Sequence, residues 1–365
     1  MGDVYDEFWL APDEPRPHQR LLADRLLSRP PEQLDQLVQT IRRRITEQEV
    51  TFNILGAPDG SNRPWQLDAI PFVFAPAEWK VLSRGLAQRA RVLEALLKDL
   101  YGPRRLLREG IIPPDLVFNN PLYWRPCHNW EPVGGDRLHL YAADIAHVPS
   151  GNFVVYSDRT AAPTGAGYAL ENRLVIGRTL GGLFREYGVR RLARFFDHLR
   201  ATLESVSRRL RSEPRIVVMS AGAHDESSFE HAYLARYLGF ELVEGRDLTV
   251  RDGGVFLKTL SGLQRVDGIL RRVFDAGCDP LELADSAQTG IAGLVSVAAS
   301  GQVAVINSLG SSLAESPVFK AYLPAICRSL IDEDLELESV STFWCGDATS
   351  LSHVIANLEH MVLKP

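Results

Sequence analysis

Arg215-Ile216-Val217-Val218-Met219 is a continuous apolar run. Such a run is typical of a strand that is buried on both faces of a parallel sheet. A polar loop follows, then a helix expected over 228–238 and a second strand over 241–243. These segments predict a β-α-β unit whose functional loop lies at the carboxyl end of its first strand.

Further strands and helices are predicted on both sides of this unit. Two short apolar runs at 138–141 and 153–156, separated by a Pro-Ser-Gly turn, are typical of a β-hairpin. Helices are expected over 167–187 and 192–210, a second hairpin over 248–258, and strands over 266–273 and 303–306. The pattern predicts an α/β protein with mixed sheets flanked by helices.

The N-terminal part is predicted to be mainly helical. Pro31 opens one helix, and its apolar positions recur at helical spacing: Leu34, Leu37, Ile41 and Ile45. A second apolar stripe begins at Trp79 and ends before Tyr101-Gly102-Pro103, which is a helix stop signal. We interpret these stripes as core-facing surfaces.

Length and composition favour more than one lobe. The 365 residues, 45% of them hydrophobic, are enough for two or three lobes. We expect a helical lobe over 1–135, a hairpin with helices over 136–212, and an α/β substrate lobe over 213–365.

Charge and hydropathy exclude several classes of function. The net charge is −6, and arginine is spread along the chain, so no nucleic-acid partner is predicted. No apolar stretch approaches the roughly 20 residues of a membrane helix, and the N-terminus does not resemble a signal peptide. The expected location is the cytoplasm, with no membrane partner.

Four polar or glycine-rich loops follow the predicted strands, where α/β proteins usually bind ligands. The first comprises Asp144, Ser157-Asp158-Arg159 and the 162–173 segment. The other three are the 220–226 loop, the segment from Arg271 to Asp275, and the 307–312 loop. Spacing alone leaves alternatives open. Glu171 and Asn172 could form a helix-surface pair, and Arg271 and Arg272 could form a salt-bridge cluster instead of an anion site.

Several motifs together resemble one family. They include Tyr5-Asp6-Glu7, Arg16-Pro17-His18, Leu100-Tyr101-Gly102, the segment from Pro163-Thr164-Gly165 to Glu171-Asn172-Arg173, Glu244-Gly245-Arg246-Asp247-Leu248, Trp344-Cys345-Gly346 and Leu363-Lys364-Pro365. On these motifs the chain resembles the type-2 circularly permuted ATP-grasp family, whose relatives include glutathionylspermidine synthetases.

The resemblance implies a reaction and its cofactors. ATP-grasp ligases use ATP and Mg²⁺ to convert a carboxylate to an acyl phosphate, which an amine then attacks. The implied function is part of an ATP-dependent carboxylate–amine ligase whose substrates are a small-molecule or peptide carboxylate and an amine. The protein must neutralise the triphosphate and hold three reactants together.

The resemblance also implies a metal site, from which this sequence departs. Active members hold the metal with an Asp on one strand, and with a Glu and an Asn spaced one residue apart on the next. Asp144 matches the Asp, but Ser157 and Arg159 stand at the other two positions. A guanidinium has only donors and cannot bind Mg²⁺. Asp158 could serve instead, or could be an ion-pair partner.

The remaining roles follow from the same resemblance. Asp144 and Asp158 are the expected metal ligands. The expected cofactor-binding residues are Lys364, Arg159, Glu171, Asn172 and Asn307. Arg271, Arg272 and Asp275 are the expected catalytic residues. Arg271→Ala should then weaken ligand binding with little change in melting temperature, whereas a large loss of stability would favour the salt-bridge alternative.

The end of the sequence suggests a missing subdomain. Circular permutation puts the ATP-clamping subdomain last, and Leu363-Lys364-Pro365 resembles its first strand. We expect the chain to be a fragment of a longer protein. The alternative function is a degenerate, non-catalytic ATP-grasp module that heads a longer multidomain protein and binds a peptide, a nucleotide or a partner ligase. A downstream domain is a further possible partner.

Overall fold

The computed structural model describes residues 5–54, 62–284 and 289–364. The strands are β1 Trp9–Ala11, β2 Glu14–Pro15, β3 Thr51–Phe52, β4 Arg63–Pro64, β5 Ala142–His147, β6 Phe153–Arg159, β7 Ile216–Ser220, β8 Glu241–Glu244, β9 Leu248–Arg251, β10 Gly254–Thr259, β11 Gly262–Val266, β12 Gly268–Arg271 and β13 Ala304–Ile306. The helices are α1 Arg20–Leu27, α2 Pro31–Glu47, α3 Pro76–Leu100, α4 Arg105–Arg108, α5 Asp115–Phe118, α6 Ala166–Thr179, α7 Gly181–Glu186, α8 Ala193–Ser207, α9 Ser228–Leu238, α10 Leu294–Ala299, α11 Phe319–Ile331 and α12 Ala348–Ala356. This mixture confirms the α/β class.

The predicted β-α-β unit is part of a parallel sheet. Its strand order is β13-β12-β7-β8. Val217 pairs with Ile269 on one side and with Glu241 on the other, and all three pairings in the sheet are parallel. The carboxyl ends of β7, β12 and β13 therefore meet at one edge, where the predicted functional loops begin.

Both faces of this sheet are covered by helices. Val218 and Leu270 pack in the cluster formed with α8 and α9. Val217 and Ile269 point to the opposite face, in the cluster that includes α3 and α11. Burial on both faces explains why the strands are apolar without alternation.

Helices α2 and α3 confirm the predicted stripes except at Trp79, which is 37% exposed, so the buried face of α3 begins at Leu82. Helix α2 begins at Pro31, and Leu37, Ile41 and Ile45 are its buried residues. Helix α3 ends at Leu100, with Tyr101 as its C-cap. Helix α3 packs against α11 and so joins the N-terminal part to the sheet.

The structure corrects two strand predictions. The first hairpin strand is β5 rather than 138–141, because the backbone N–H groups of His139 and Leu140 donate to Asn307 Oδ1 instead of to a neighbouring strand. The 266–273 strand is divided at Asp267, where the chain passes from the antiparallel β9-β10-β11 sheet to the parallel sheet. The predicted 167–187 helix is likewise divided between α6 and α7.

Two hydrophobic clusters cross the predicted lobe boundaries. Leu96 of α3 lies in the same cluster as Val217 of β7. Ile41 of α2 lies in the same cluster as Ile176 of α6. The division at residues 135 and 212 stays a prediction, and the apolar cores join residues from both sides of it.

Candidate functional site

The β5-β6 hairpin presents a polar face to solvent. Asp144 pairs with Ser157 across the hairpin, and the Ser157 hydroxyl donates to Asp144 Oδ2. Arg159 Nη2 lies 2.9 Å from the same oxygen, and both side chains are about half exposed. Arg159 is two residues along β6 from Ser157, so the alternation of a strand puts Asp144, Ser157 and Arg159 on one face.

Two lysines lie against the same hairpin. Lys320 Nζ, from α11, donates to the Tyr156 carbonyl oxygen at 2.5 Å. Lys364 Nζ lies 5.3 Å from the centre of the Tyr156 ring. Burial lowers the pKa of Lys320, and the positive charges of Lys364, Arg89 and Arg159 act in the same direction. We call the surface formed by Asp144, Tyr156, Ser157, Arg159, Lys320 and Lys364 the hairpin face.

Asp158 points away from the hairpin face. Arg89 of α3 binds both of its oxygens, at 2.6 and 2.8 Å, and Tyr141 donates its hydroxyl at 2.7 Å. Both partners of this ion pair are buried. The interpretation of Asp158 as a metal ligand is therefore not supported; it is the ion-pair partner of Arg89, which the sequence did not indicate.

The hairpin face lacks the donor set that Mg²⁺ prefers. In the described ranges no group of three or more His, Cys, Asp or Glu side chains could hold a metal ion. The Asp144 carboxylate is contacted by a cation and by a hydroxyl donor. Mg²⁺ is usually bound through one or two carboxylates together with phosphates. Asp144, which is already paired with Arg159, does not supply that set.

Glu315 anchors the chain directly after Arg159. Its Oε1 accepts hydrogen bonds from the backbone N–H groups of Thr160 and Ala161, both at 2.6 Å. Thr160 also donates its hydroxyl to the Ser311 carbonyl oxygen. These bonds fix the end of β6 against the loop that follows β13, so Arg159 projects from a rigid support.

Arg271 is part of a buried network rather than an open site. Its side chain is fully buried, and its guanidinium donates to the carbonyl oxygens of Val273, Asn307 and Ser308. It also forms a 3.0 Å ion pair with Asp275. Asp275 in turn accepts backbone N–H bonds from Gly310 and Ser312. The structure therefore supports the salt-bridge alternative for Arg271. The described contacts of Asp275 are likewise with groups of the fold.

Asn307 belongs to the same buried framework. Its Oδ1 accepts two backbone N–H bonds, and its Nδ2 donates to the carbonyl oxygens of Leu140 and Thr160 at 2.7 Å each. These bonds engage both the oxygen and the nitrogen of the side-chain amide, so they do not support direct cofactor binding. Asn307 instead connects the parallel sheet to the β5-β6 hairpin.

Arg272 differs from its neighbour. It is buried, and its Nη2 donates to the carbonyl oxygens of Ala162 and Pro163. Its Nε and Nη1 are buried and have no hydrogen-bond partner within the described part of the chain. A buried guanidinium with unused donors is suited to an anion.

The comparison with known proteins gives the family. Residues 71–365 match the family described as circularly permuted ATP-grasp type 2. The chain belongs to this family. Proteins of the family generally bind ATP with Mg²⁺, and their ligase chemistry implies small-molecule substrates.

Relatives of this ATP-grasp chain occur in several bacteria. An uncharacterised protein of Mycobacterium tuberculosis is 38% identical over the whole chain, which covers 42% of that protein. An uncharacterised protein of Synechocystis is 34% identical over the whole chain, which covers 76% of it. The chain thus spans less than half the length of its mycobacterial relative.

A solved structure confirms the fold. A glutathione synthetase-like effector from Globodera pallida, in its apo form, superposes with a TM-score of 0.53. The match covers 84% of this chain and 70% of the effector, at 10% sequence identity. At that identity the likeness supports the ATP-grasp fold alone. In the described residues, no helix is long and apolar enough to cross a membrane.

The motif that follows β6 is held by a buried carboxylate. Glu230 of α9 accepts the backbone N–H groups of Gly165 and Gly167 at 2.8–2.9 Å. A side chain at Gly167 would collide with Glu230, whose Cγ would lie 2.8 Å from an added Cβ. Glycine at 167 is therefore required for this close contact between α6 and α9.

Next to this contact, His231 is buried and uncharged. Its Nδ1 lies 2.9 Å from Ser220 Oγ, at the end of β7. Burial lowers its pKa to about 3, and the positive charge of Arg272 acts in the same direction. Asp225 lies 3.7 Å from His231 Nε2, which is too far for a hydrogen bond.

Glu171 and Asn172 lie in α6. Their described contacts are not with residues of the hairpin face. Glu171 is buried. Burial raises the pKa of Tyr233 to about 12, and the negative charge of Glu171 adds to that shift. Asn172 Oδ1 accepts a 2.9 Å hydrogen bond from the Trp65 indole. Their expected role beside the phosphates stays a prediction that these contacts do not favour.

Lys320 and Glu315 are site residues that sequence reasoning missed. The resemblance puts a lysine in the helix after the Asn307 loop, but Pro317 stands at that position. Lys320, one helical turn further along, reaches the hairpin face instead. The sequence signal was an acid at 315 followed five residues later by a lysine at 320. Its meaning depends on the packing of the 311–315 turn against β6 and on the contact of Lys320 with Tyr156. Lys364 lies over Tyr156 in the hairpin face, and its expected role in binding ATP stays a prediction; Pro365 lies outside the described residues.

Proposed function

We propose that this chain is the phosphate-binding part of an ATP-grasp protein in which protein cations replace the metal ion. The observation that carries the proposal is the hairpin face. The side chains of Arg159, Lys320 and Lys364 lie at one surface there, and Asp144 is the carboxylate among them. Charge-assisted hydrogen bonds to phosphate are stronger than neutral ones, and arginine binds phosphate through two donors at once.

The Arg159–Asp144 pair favours a site in which a protein cation takes the place of the metal ion over a site that binds a metal ion. The guanidinium stands where family members place a metal-binding Asn, and it neutralises the remaining acidic ligand. The pair is about half exposed, so its own stabilising effect is small, about 0–1 kcal/mol. A phosphate can therefore compete with Asp144 for Arg159 at low cost.

Calorimetric titration of ATP into the chain tests the proposal, with Mg²⁺ present and with EDTA. We expect binding in EDTA, with no more than a twofold gain on adding Mg²⁺. Arg159→Ala should weaken binding in EDTA about tenfold, the loss of about one charge-assisted hydrogen bond. Arg25→Ala is the matched control, because Arg25 is an exposed, ion-paired arginine in α1.

The double variant Ser157→Glu, Arg159→Asn supplies a second arm. It restores the family's ligand pattern next to Asp144, so ATP binding should become dependent on Mg²⁺. Binding of wild-type chain only in the presence of Mg²⁺ would contradict replacement of the metal. Absence of ATP binding under both conditions would contradict the nucleotide site itself.

A second candidate function, ATP-dependent carboxylate–amine ligation through an acyl phosphate, has its own support. Arg272 offers two buried donors without a partner in the described residues, at the edge where the sheet's strands end. A substrate carboxylate would satisfy them. Trapping with hydroxylamine, in the presence of MgATP and a panel of amino acids and dipeptides, would reveal acyl phosphate formation. No hydroxamate from a protein that binds ATP would favour the non-catalytic function.

A further inference from the structure

A large cavity lies in the N-terminal part of the chain, apart from the hairpin face. Its volume is about 910 Å³, within the range of small-molecule sites. Helices α1, α2 and α6 and the segments 7–9 and 67–72 line it, and most of its lining is apolar, including Trp9, Leu26, Leu37, Phe72, Ile176 and Phe184. None of the residues of the hairpin face lines it.

Gln19 presents an unused acceptor at this cavity. Its side chain is 2% exposed, and its Oε1 has no hydrogen-bond partner among the described residues. Its Nε2 makes only long contacts, 3.4 Å each, to the carbonyl oxygens of Glu7 and Val73. A buried acceptor without a donor costs about 1–3 kcal/mol, so a ligand N–H at this point would be favourable.

Arg173 presents an unpaired cation to the same cavity. One of its nitrogens donates to the Arg190 carbonyl oxygen at 2.7 Å, and its guanidinium lies 5.6 Å from the centre of the Phe184 ring. Burial lowers its pKa, and no described carboxylate offsets that effect. A half-buried cation of this kind is stabilised by an anionic partner.

The acids that line the cavity are already engaged. Glu7 lies 3.1 Å from His147 Nδ1, and Asp68 Oδ1 accepts the backbone N–H of Ile70 at 2.9 Å. Glu7 and Asp68 thus contact groups other than Arg173, and the ligand group that complements the Arg173 guanidinium itself is a carboxylate.

We propose that this cavity binds the C-terminal residue of a peptide, or an acylated amino acid, with a large apolar side chain. The ligand's carboxylate pairs with Arg173, its peptide N–H donates to Gln19 Oε1, and its apolar side chain contacts the leucine and phenylalanine side chains of the lining. Each of these three ligand groups contacts a feature of the cavity described above: the Arg173 cation, the Gln19 acceptor or the apolar lining. The proposal does not depend on the nucleotide site.

The test compares N-acetyl-leucyl-phenylalanine with its C-terminal amide, by calorimetric titration into the whole chain. The two probes differ only in the carboxylate, and we expect the acid to bind at least about tenfold more tightly. Arg173→Ala should abolish that preference, so that acid and amide bind equally. Arg185→Ala, which removes an exposed arginine of the next helix, should preserve it.

Gln19→Leu tests the second contact and separates binding from folding. The variant removes the unsatisfied acceptor, so the melting temperature should not fall while both probes bind several-fold more weakly. Equal binding of acid and amide to the wild-type chain, or a preference that survives Arg173→Ala, would overturn the carboxylate assignment. No binding of the acid at millimolar concentration would overturn the site.

Discussion

At the scale of single residues, hydrogen bonding distinguishes two adjacent buried arginines that the sequence presents as a pair. Arg271 has its donors engaged by backbone carbonyls, a hydroxyl and Asp275. Arg272 keeps two buried donors unused in the described structure. Their side chains have different partners: the contacts of Arg271 stabilise the fold, and an anion-binding role for Arg272 stays a prediction.

Arg271→Ala should therefore lower stability strongly. Removing one member of a buried ion pair costs about 3–5 kcal/mol, because the partner, here Asp275, is left buried and unpaired. Urea denaturation measures the loss, with Arg215→Ala as control, since Arg215 forms an ion pair with Glu241 at the surface and should cost less than about 1 kcal/mol. A loss below about 1 kcal/mol for Arg271→Ala would instead favour the substrate-facing role.

At the scale of elements, β6 presents different chemistry to its two sides. Ser157 and Arg159 face solvent with Asp144, whereas Asp158 faces α3 and binds Arg89. Arg89 also donates to the Leu337 carbonyl oxygen and the Ser339 hydroxyl, which ties the 337–339 segment to the hairpin. The strand is thus a boundary between a buried ion pair and the hairpin face.

Asp158→Asn and Asp144→Asn should separate these roles. Asp158→Asn leaves Arg89 buried without its counter-ion, so the free energy of unfolding should fall by about 3–5 kcal/mol. Asp144→Asn breaks an exposed pair and should cost at most about 1 kcal/mol. Urea denaturation gives both values. A stable Asp158→Asn variant that binds Mg²⁺ more weakly than the wild type would restore Asp158 as a metal ligand.

At the scale of the whole molecule, the hairpin face is an open surface. Arg159 and Asp144 are about half exposed, and Lys364 is exposed. The family resemblance predicts that a clamping subdomain encloses ATP. This chain covers 42% of its Mycobacterium tuberculosis relative, so that relative has room for further domains.

The full-length Mycobacterium tuberculosis relative should bind ATP more tightly than its segment matched by this chain. Enclosing the phosphates removes water from around the charged contacts and strengthens them. Calorimetry on both proteins, at the same ionic strength, measures the difference, and we expect at least about tenfold. Equal affinities would show that the matched segment contains the whole nucleotide site.

Much of this protein follows from the sequence alone. The apolar run at 216–219 predicts a strand buried on both sides, and the stripes of α2 and α3 predict core-facing helices, because periodicity depends only on local geometry. The departures at Ser157 and Arg159 from the family's metal ligands are also visible in the sequence.

Tertiary structure alone decided which side chains are free to act. Asn307, Asp158 and Arg271 are as polar as Arg159, but they are buried and hydrogen-bonded within the fold, whereas the Arg159 side chain is about half exposed. The partners of Asn307 and Asp158 are distant in the sequence, so no local pattern indicates them, whereas Asp275 lies four residues from Arg271 and the salt-bridge alternative is visible there. Whether a charged group stabilises the fold or meets a ligand depends on what lies within about 3 Å of it, and only the packed chain determines that.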